Sequence, residues 1–336
     1  MNMAAVKRFL AAAAPDSLKT RHHIIRNAWI DGAHRRHVGC PAATLPTEAS
    51  RYLCSDNPKL LDLQRRYSAE AQFTHTFWKN WRKHINLAHF RGEGHYLEQG
   101  TGRHAEFLYF ASTVYLETID DWNLLDKLRE DDLFGCHTFS FPPARLVSRD
   151  LLDSILELYF LRKALSLNRS DNLRVLDIGA GYGRFAHRFL ETFAKGSITN
   201  VDGVPESTFL CDFYTRFRGL SARSQTLPVD ELNKLNLGQF DVAANIHSWS
   251  ECPRETVRKW VTILRDLRVP LLFVVPHDSD FSSREQNGSD TFLPEITRAG
   301  YREIFRARKF SHSETLHGLS PVLYVLFSLK EAVVNN

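Results

Sequence analysis

The spacing of apolar and polar positions changes character near residue 145. Up to that point the regular stretches are helical. "NPKLLDLQRRYSAEAQ" and "VYLETIDDWNLLDKLRE" carry apolar residues three and four positions apart, as one face of a helix requires. Between them, "HINLAHFRGEGHYLEQG" has glycines that interrupt any period, which predicts a loop. "VSRDLLDSILELYFLRKAL" then predicts a strong helix. Ser148 stands at the N-cap position and Asp150 in the first turn, where a carboxylate opposes the helix dipole. Leu151, Leu152, Ile155, Leu158, Tyr159 and Leu161 form its apolar face.

After this helix, strands and helices alternate. "RVLDIG", "SITNVDGV", "LSARSQTLP", "QFDVAANIHSW" and "PLLFVVP" read as five strands. "RFAHRFLETFA", "PESTFLCDFYTRF" and "PRETVRKWVTILRDL" read as helices between them. Such alternation predicts an α/β fold, a mostly parallel sheet covered by helices on both faces. The tail, "YREIFRARKF" and "PVLYVLFSLK", offers two strand-like runs without a helix between, a candidate antiparallel hairpin at the sheet edge. The layout resembles the Rossmann-like core of class I methyltransferases. Residues 1–145 are then a mainly helical substrate or cap region, and 146–336 the cofactor-binding domain.

The densest motif is "RVLDIGAGYGRFAHRF", where a strand ends in an acid and passes three glycines before a helix. Dinucleotide folds place the third glycine one residue later and turn the helix onto a pyrophosphate. Here Gly179, Gly181 and Gly183 follow Asp177 as G-x-G-x-G. This fits S-adenosylmethionine, whose carboxylate would lie near the helix start and whose ammonium would meet Asp177, the glycines keeping Cβ atoms away. Asp202 ends the next strand, where an acid accepts from a ribose diol. Asp230, after "SQTLPV", is within reach of an adenine amine or is an ordinary loop acid.

Composition narrows this little. The 336 residues carry a net charge of +4, which does not argue for nucleic acid and leaves anionic small substrates open. The five cysteines have no paired or zinc-like spacing, which predicts reduced thiols in a cytoplasmic protein. The N-terminus has basic residues and an alanine run, but Pro15 and Asp16 close the apolar stretch early, so a surface helix is expected there rather than a targeting signal. No stretch is apolar for long enough to span a bilayer.

Four blocks, "HFRGEGHYLEQ", "VSRDLLDSILELYFL", "VLDIGAGYGRFAHRF" and "FDVAANIHSWSECP", together resemble the sugar O-methyltransferase family in content and order, over roughly residues 55–330. The chain departs from that pattern at Gly94, where the family commonly has asparagine. The resemblance implies transfer of a methyl group to a sugar hydroxyl and leaves the sugar unnamed. Such a transfer needs in-line alignment and a base. The fourth strand ends in "NIHSWSE", offering His247 and Glu251. The fifth ends in "VVPHDSD", where His277 and Asp278 would face the acceptor, or the oxygen ligands Asp278 and Asp280 hold Mg²⁺. The first block supplies Arg91, Glu93, His95, Tyr96 and Gln99, planar polar and aromatic groups of the kind that hold sugars. Alternatives are methylation of another small polar acceptor on oxygen or nitrogen, a cofactor-binding scaffold without catalysis, and an NAD-dependent oxidoreductase. Oligomeric state is not readable from the sequence.

Overall fold

The structure is a computed structural model that describes residues 16–38, 45–70, 73, 76–285, 288–310 and 322–330. Residues 1–15, where the alanine-rich surface helix is expected, lie outside the described residues, as does Cys40; the other four cysteines are free thiols.

Seven strands form the main sheet: β1 (Arg174–Ile178), β2 (Ser197–Val201), β3 (Ser224–Thr226), β4 (Val242–Ile246), β5 (Leu271–Val275), β6 (Tyr301–Arg308) and β7 (Leu323–Leu329). Their order is β3-β2-β1-β4-β5-β7-β6. Strands β1 to β5 are parallel, β7 runs antiparallel to β5, and β6 pairs antiparallel with β7. This is the Rossmann-like α/β sheet that the alternation predicts, finished by the edge hairpin, in the class I methyltransferase order. The chain leaves β1 in one direction to β2 and returns on its other side to β4. That reversal makes the carboxyl ends of β1 and β4 the topological switch point, where open α/β sheets bind ligands.

In the N-terminal half, helices α1 (Asp16–Val38), α2 (Pro58–Tyr67), α3 (Thr76–Trp81) and α4 (Gly102–Glu117) precede the strong helix α5 (Arg149–Leu165). Asn57 caps α2 by accepting from the Lys59 N–H at 2.9 Å, and Ser148 caps α5 by accepting from the Leu151 N–H at 3.1 Å. The periodic run 114–130 is not one helix. Asp120 accepts from the N–H groups of Leu124 and Leu125 at 2.7 and 2.9 Å, which stops α4 at Glu117 and starts a separate turn at Leu124–Lys127.

Alternate residues of the sheet enter two apolar cores, as strand geometry dictates. Leu176 and Ala243 join Leu60, Leu63, Phe90, Phe134, Phe209 and Trp260 on one face. Val175 and Val242 join Leu116, Phe139, Leu151, Ile155 and Phe189 on the other. Both halves of the chain contribute to each core. Helices α6 (Arg184–Thr192), α7 (Pro205–Phe217) and α8 (Arg254–Asp266) complete the layers. Among the described residues no helix is long and apolar enough to cross a membrane.

Candidate active site at the strand ends

A cavity open to solvent lies at the switch point. Its floor is the turn after β1. Gly179, Gly181 and Gly183 all have left-handed backbones, with φ of 73, 57 and 90°. A Cβ at Gly179 would stand 2.0 Å from Ser248 Oγ, so the turn requires glycine for conformation and for close approach of the β4 loop. The loop is tied down by Asn245, whose Nδ2 donates to the Ile178 carbonyl and to Ser248 Oγ, both at 2.8 Å. Besides any ligand, the glycines at 179 and 183 also make room for Ser248 and Cys211.

Asp177 lines this floor and is 2% exposed. Its Oδ2 has no hydrogen-bond partner. Burial raises its pKa to about 7 against the pull of Arg184, with Glu157 and Asp202 adding to the rise. Asp202 lies one strand over. Its Oδ2 accepts from the Gly181 N–H at 2.9 Å and its Oδ1 from the Val204 N–H at 2.8 Å. Those bonds favour the carboxylate, yet burial prevails and its pKa also rises to about 7. Arg184 is a lining cation, but Glu157 forks it with two contacts of 2.9 Å.

The walls come from β4 and from the N-terminal half. His247 leaves β4 with φ 68° and ψ −31°, a conformation that costs a non-glycine residue roughly 1–3 kcal/mol and is found at functional sites. Its side chain is half-buried, and its Nδ1 is buried without a partner. Burial, with help from His277 and Arg184, holds its pKa well below the ordinary histidine value. Glu251 also lines the cavity; burial raises its pKa, opposed by His277 and by the Trp78 Nε1–H, which donates to Oε2 at 2.7 Å. Tyr96 packs over Gly181 and shares a 3.1 Å hydrogen bond between its hydroxyl and Ser207 Oγ. Phe73, Trp78 and Trp260 complete an aromatic wall.

The other residues singled out in the sequence lie elsewhere. Arg91 is fully buried and bonds Glu130, Asp131 and Asp150 at 2.7, 3.0 and 3.1 Å; it does not pair with Glu93. Glu93 accepts from the Gln99 N–H, and Gln99 in turn accepts from the His137 N–H at 3.0 Å. His95 is half-buried outside the cavity lining, and desolvation lowers its pKa to about 4. At Gly94, φ is 69° and a Cβ would meet Asn27 of α1 at 2.1 Å, which accounts for the missing side chain. Asp230 is forked by Arg66, with contacts of 2.7 and 2.8 Å, and lies outside the lining. His277 stands at the rim, its Nε2 3.9 Å from Glu251 Oε1. Asp278 accepts from the N–H groups of Asp280 and Ser282, and among the described residues no three His, Cys, Asp or Glu converge to hold a metal.

Tyr96 is thus the one of the first block's five singled-out residues that lines the cavity, with Leu97 beside it. Phe73, Trp78, Ser207, Asn245, Ser248 and Trp260 were not anticipated. Only Asn245 and Ser248 left a signal, as polar residues flanking His247 at the end of an apolar strand.

No family model matches the sequence, and no curated protein does either. Several solved structures are similar in fold. The mitomycin 7-O-methyltransferase MmcR is 16% identical, with a TM-score of 0.40 over 68% of this chain and 69% of its own. The [4+2]-cyclase SpnF is 16% identical, with a TM-score of 0.42 over 54% of this chain and 83% of its own. Magnesium protoporphyrin IX methyltransferase from Synechocystis PCC 6803, solved with bound SAH, is 12% identical, with a TM-score of 0.39 over 54% of this chain and 86% of its own.

Proposed function

We propose that this chain is an S-adenosylmethionine-dependent O-methyltransferase whose acceptor is a hydroxyl of a sugar or glycosylated metabolite. The observation that carries the reading is the unpartnered Oδ2 of buried Asp177 on the cavity floor. Such an oxygen is costly unless a ligand brings a cation or donor, and the ammonium of the cofactor is that group. Asp202 keeps lone pairs for a ribose diol beyond its two backbone bonds. Bound there, the cofactor supplies an electrophilic methyl on a sulfonium that leaves as a neutral thioether.

The chain's own contribution is alignment and proton removal. His247 is kept neutral by burial, so its free Nδ1 is ready to accept the hydroxyl proton at neutral pH. Tyr96, Trp78 and Phe73 give residues 1–145 their role as the acceptor wall, flat faces against which a sugar's C–H surface stacks. Residues 146–336 hold the cofactor.

Calorimetry with S-adenosylhomocysteine and with NAD tests the cofactor: the first binds and the second does not. Binding of NAD alone would overturn the reading. His247→Ala lowers kcat by about 10²–10⁴-fold with S-adenosylhomocysteine affinity intact. In the wild type, kcat/KM is already level at neutral pH. Its rising limb lies on the acid side of the ordinary histidine range, because burial has lowered that pKa.

A further inference from the structure

The cavity lining holds more acidic groups than basic ones. Three carboxyl groups face it, those of Asp177, Asp202 and Glu251. Among the described lining residues Arg184 is the guanidinium, and Glu157 already forks it. His247 is neutral. Two rim groups temper the field without entering it: His277 at 3.9 Å from Glu251 Oε1, and the exposed Arg284, which acts on Glu251 at longer range. The surplus of basic residues in the whole chain is therefore not the charge that an acceptor meets. A phosphate, diphosphate or uronate would enter beside carboxylates, and like charges at close range oppose binding.

Under the reading above, on which this inference rests, Asp177 and Asp202 serve the cofactor. Glu251 is left facing the acceptor. Its Oε2 is taken by the Trp78 indole N–H, and its Oε1 has His277 as its ion-pair neighbour, beyond hydrogen-bond distance. Trp78 stands beside Glu251 through that bond, and the core pair Phe73 and Trp260, with ring centroids 5.2 Å apart, also lines the cavity. A carboxylate oxygen with lone pairs to spare, set beside an aromatic side chain, is a site for an ammonium group.

We propose that the acceptor is an amino sugar or similar amino alcohol, its ammonium held by Glu251 and the Trp78 wall while a neighbouring hydroxyl of the same molecule is methylated. The protonated nitrogen has no lone pair and does not compete for the methyl group. The hydroxyl oxygen bonds the methyl carbon as the carbon–sulfur bond breaks. The hydroxyl proton passes to His247 Nδ1, and the ammonium is unchanged. This narrows the acceptor from sugars in general to cationic ones.

The test is calorimetric binding, in the presence of S-adenosylhomocysteine, of three matched probes: methyl 2-amino-2-deoxyglucoside, its N-acetyl derivative and methyl glucuronoside. The amine binds at least about 10-fold tighter than the other two. Glu251→Gln erases that preference and leaves S-adenosylhomocysteine affinity within about twofold, a split that loss of folding would not produce. Equal binding of the glucuronoside, no binding of the amine, or a preference that survives in Glu251→Gln overturns the proposal. Failure of the methyl-transfer reading looks different: S-adenosylhomocysteine does not bind, while the amine still binds through Glu251.

Discussion

Glu130 and Asp177 are both buried carboxyl groups, and their surroundings push them in opposite directions. Burial opposes ionisation of Glu130, but Arg91 and Arg188, at 2.7 and 3.2 Å, overcome it and bring its pKa down to about 2. Asp177 is as deep but has only the pull of Arg184, itself committed to Glu157, and its pKa rises to about 7. The Glu130 cluster is closed: Arg91 reaches Glu130, Asp131 and Asp150, and Arg218 reaches Asp131 at 2.6 Å. Charges satisfied by one another serve the fold. A carboxylate left short of partners beside a cavity is prepared for a ligand. The same contrast sorts the residues of the loop at 91–99, where Arg91 belongs to the closed cluster and Tyr96 to the open one.

The largest effect is expected on breaking the closed cluster. Arg91→Leu takes the guanidinium from buried Asp150, leaves Glu130 with Arg188 alone, and lowers unfolding stability in urea by about 3–5 kcal/mol. Replacing Arg91 and Glu130 together by Leu recovers part of that loss, because the buried carboxylate that lost a cation is gone and Arg188 keeps Glu191 at 2.9 Å. An Arg91→Leu protein as stable as the wild type would break the comparison and return Arg91 to the acceptor site.

Asp177→Asn should do the reverse in ligand-free protein. A carboxyl group whose pKa is raised on folding is fully accommodated below its unfolded value near 4. Its contribution is lost as pH rises through about 7. The difference of about three pKa units corresponds to on the order of 3–4 kcal/mol of destabilisation above pH 7. Asp177→Asn is therefore more stable than the wild type at pH 8 and gains nothing at pH 4. It also loses the thermal shift that S-adenosylhomocysteine gives the wild type. Glu130, with its lowered pKa, contributes stability above its unfolded value and loses it as pH falls toward 2. Parallel pH profiles for Asp177→Asn and the wild type would show that the cavity carboxyl is as well compensated as Glu130.

Much of this was legible in the sequence where the signal is local. Alternating strands and helices name the sheet, and three glycines after an acid name the turn, because left-handed φ at Gly179, Gly181 and Gly183 is a backbone demand that composition reveals. The break after Glu117 is a local signal too, in the capping acid Asp120, but the helical periodicity across it hides it. Pairings between distant segments left no such trace. Arg91 finds Asp150 59 positions away, and Trp78 finds Glu251 173 positions away. Nothing in the periodicity of either segment announces the partner. The aromatic wall was hidden for the same reason: Phe73, Trp78 and Trp260 look like core residues until the fold sets them around a cavity.

The smallest expected effect concerns Asp230, which the sequence offers as an adenine acceptor. In the structure both its oxygens are held by Arg66, which also reaches Glu231 at 2.6 Å, and the Asp230 side chain is 25% exposed. A forked surface pair of this kind contributes less than about 1 kcal/mol. An oxygen already accepting from a guanidinium keeps lone pairs, so geometry alone does not bar an adenine amine from it. The two roles separate in one titration. If Asp230 only anchors α2 to the loop after β3, Asp230→Asn costs under about 1 kcal/mol in urea unfolding and leaves the S-adenosylhomocysteine dissociation constant within about twofold. If it reaches the adenine, the loss of a charged acceptor weakens the ligand by about 10-fold or more while the unfolding midpoint hardly moves. The first outcome is expected, because Asp230 is compensated as Glu130 is, by a cation of the chain itself, whereas Asp177 is not.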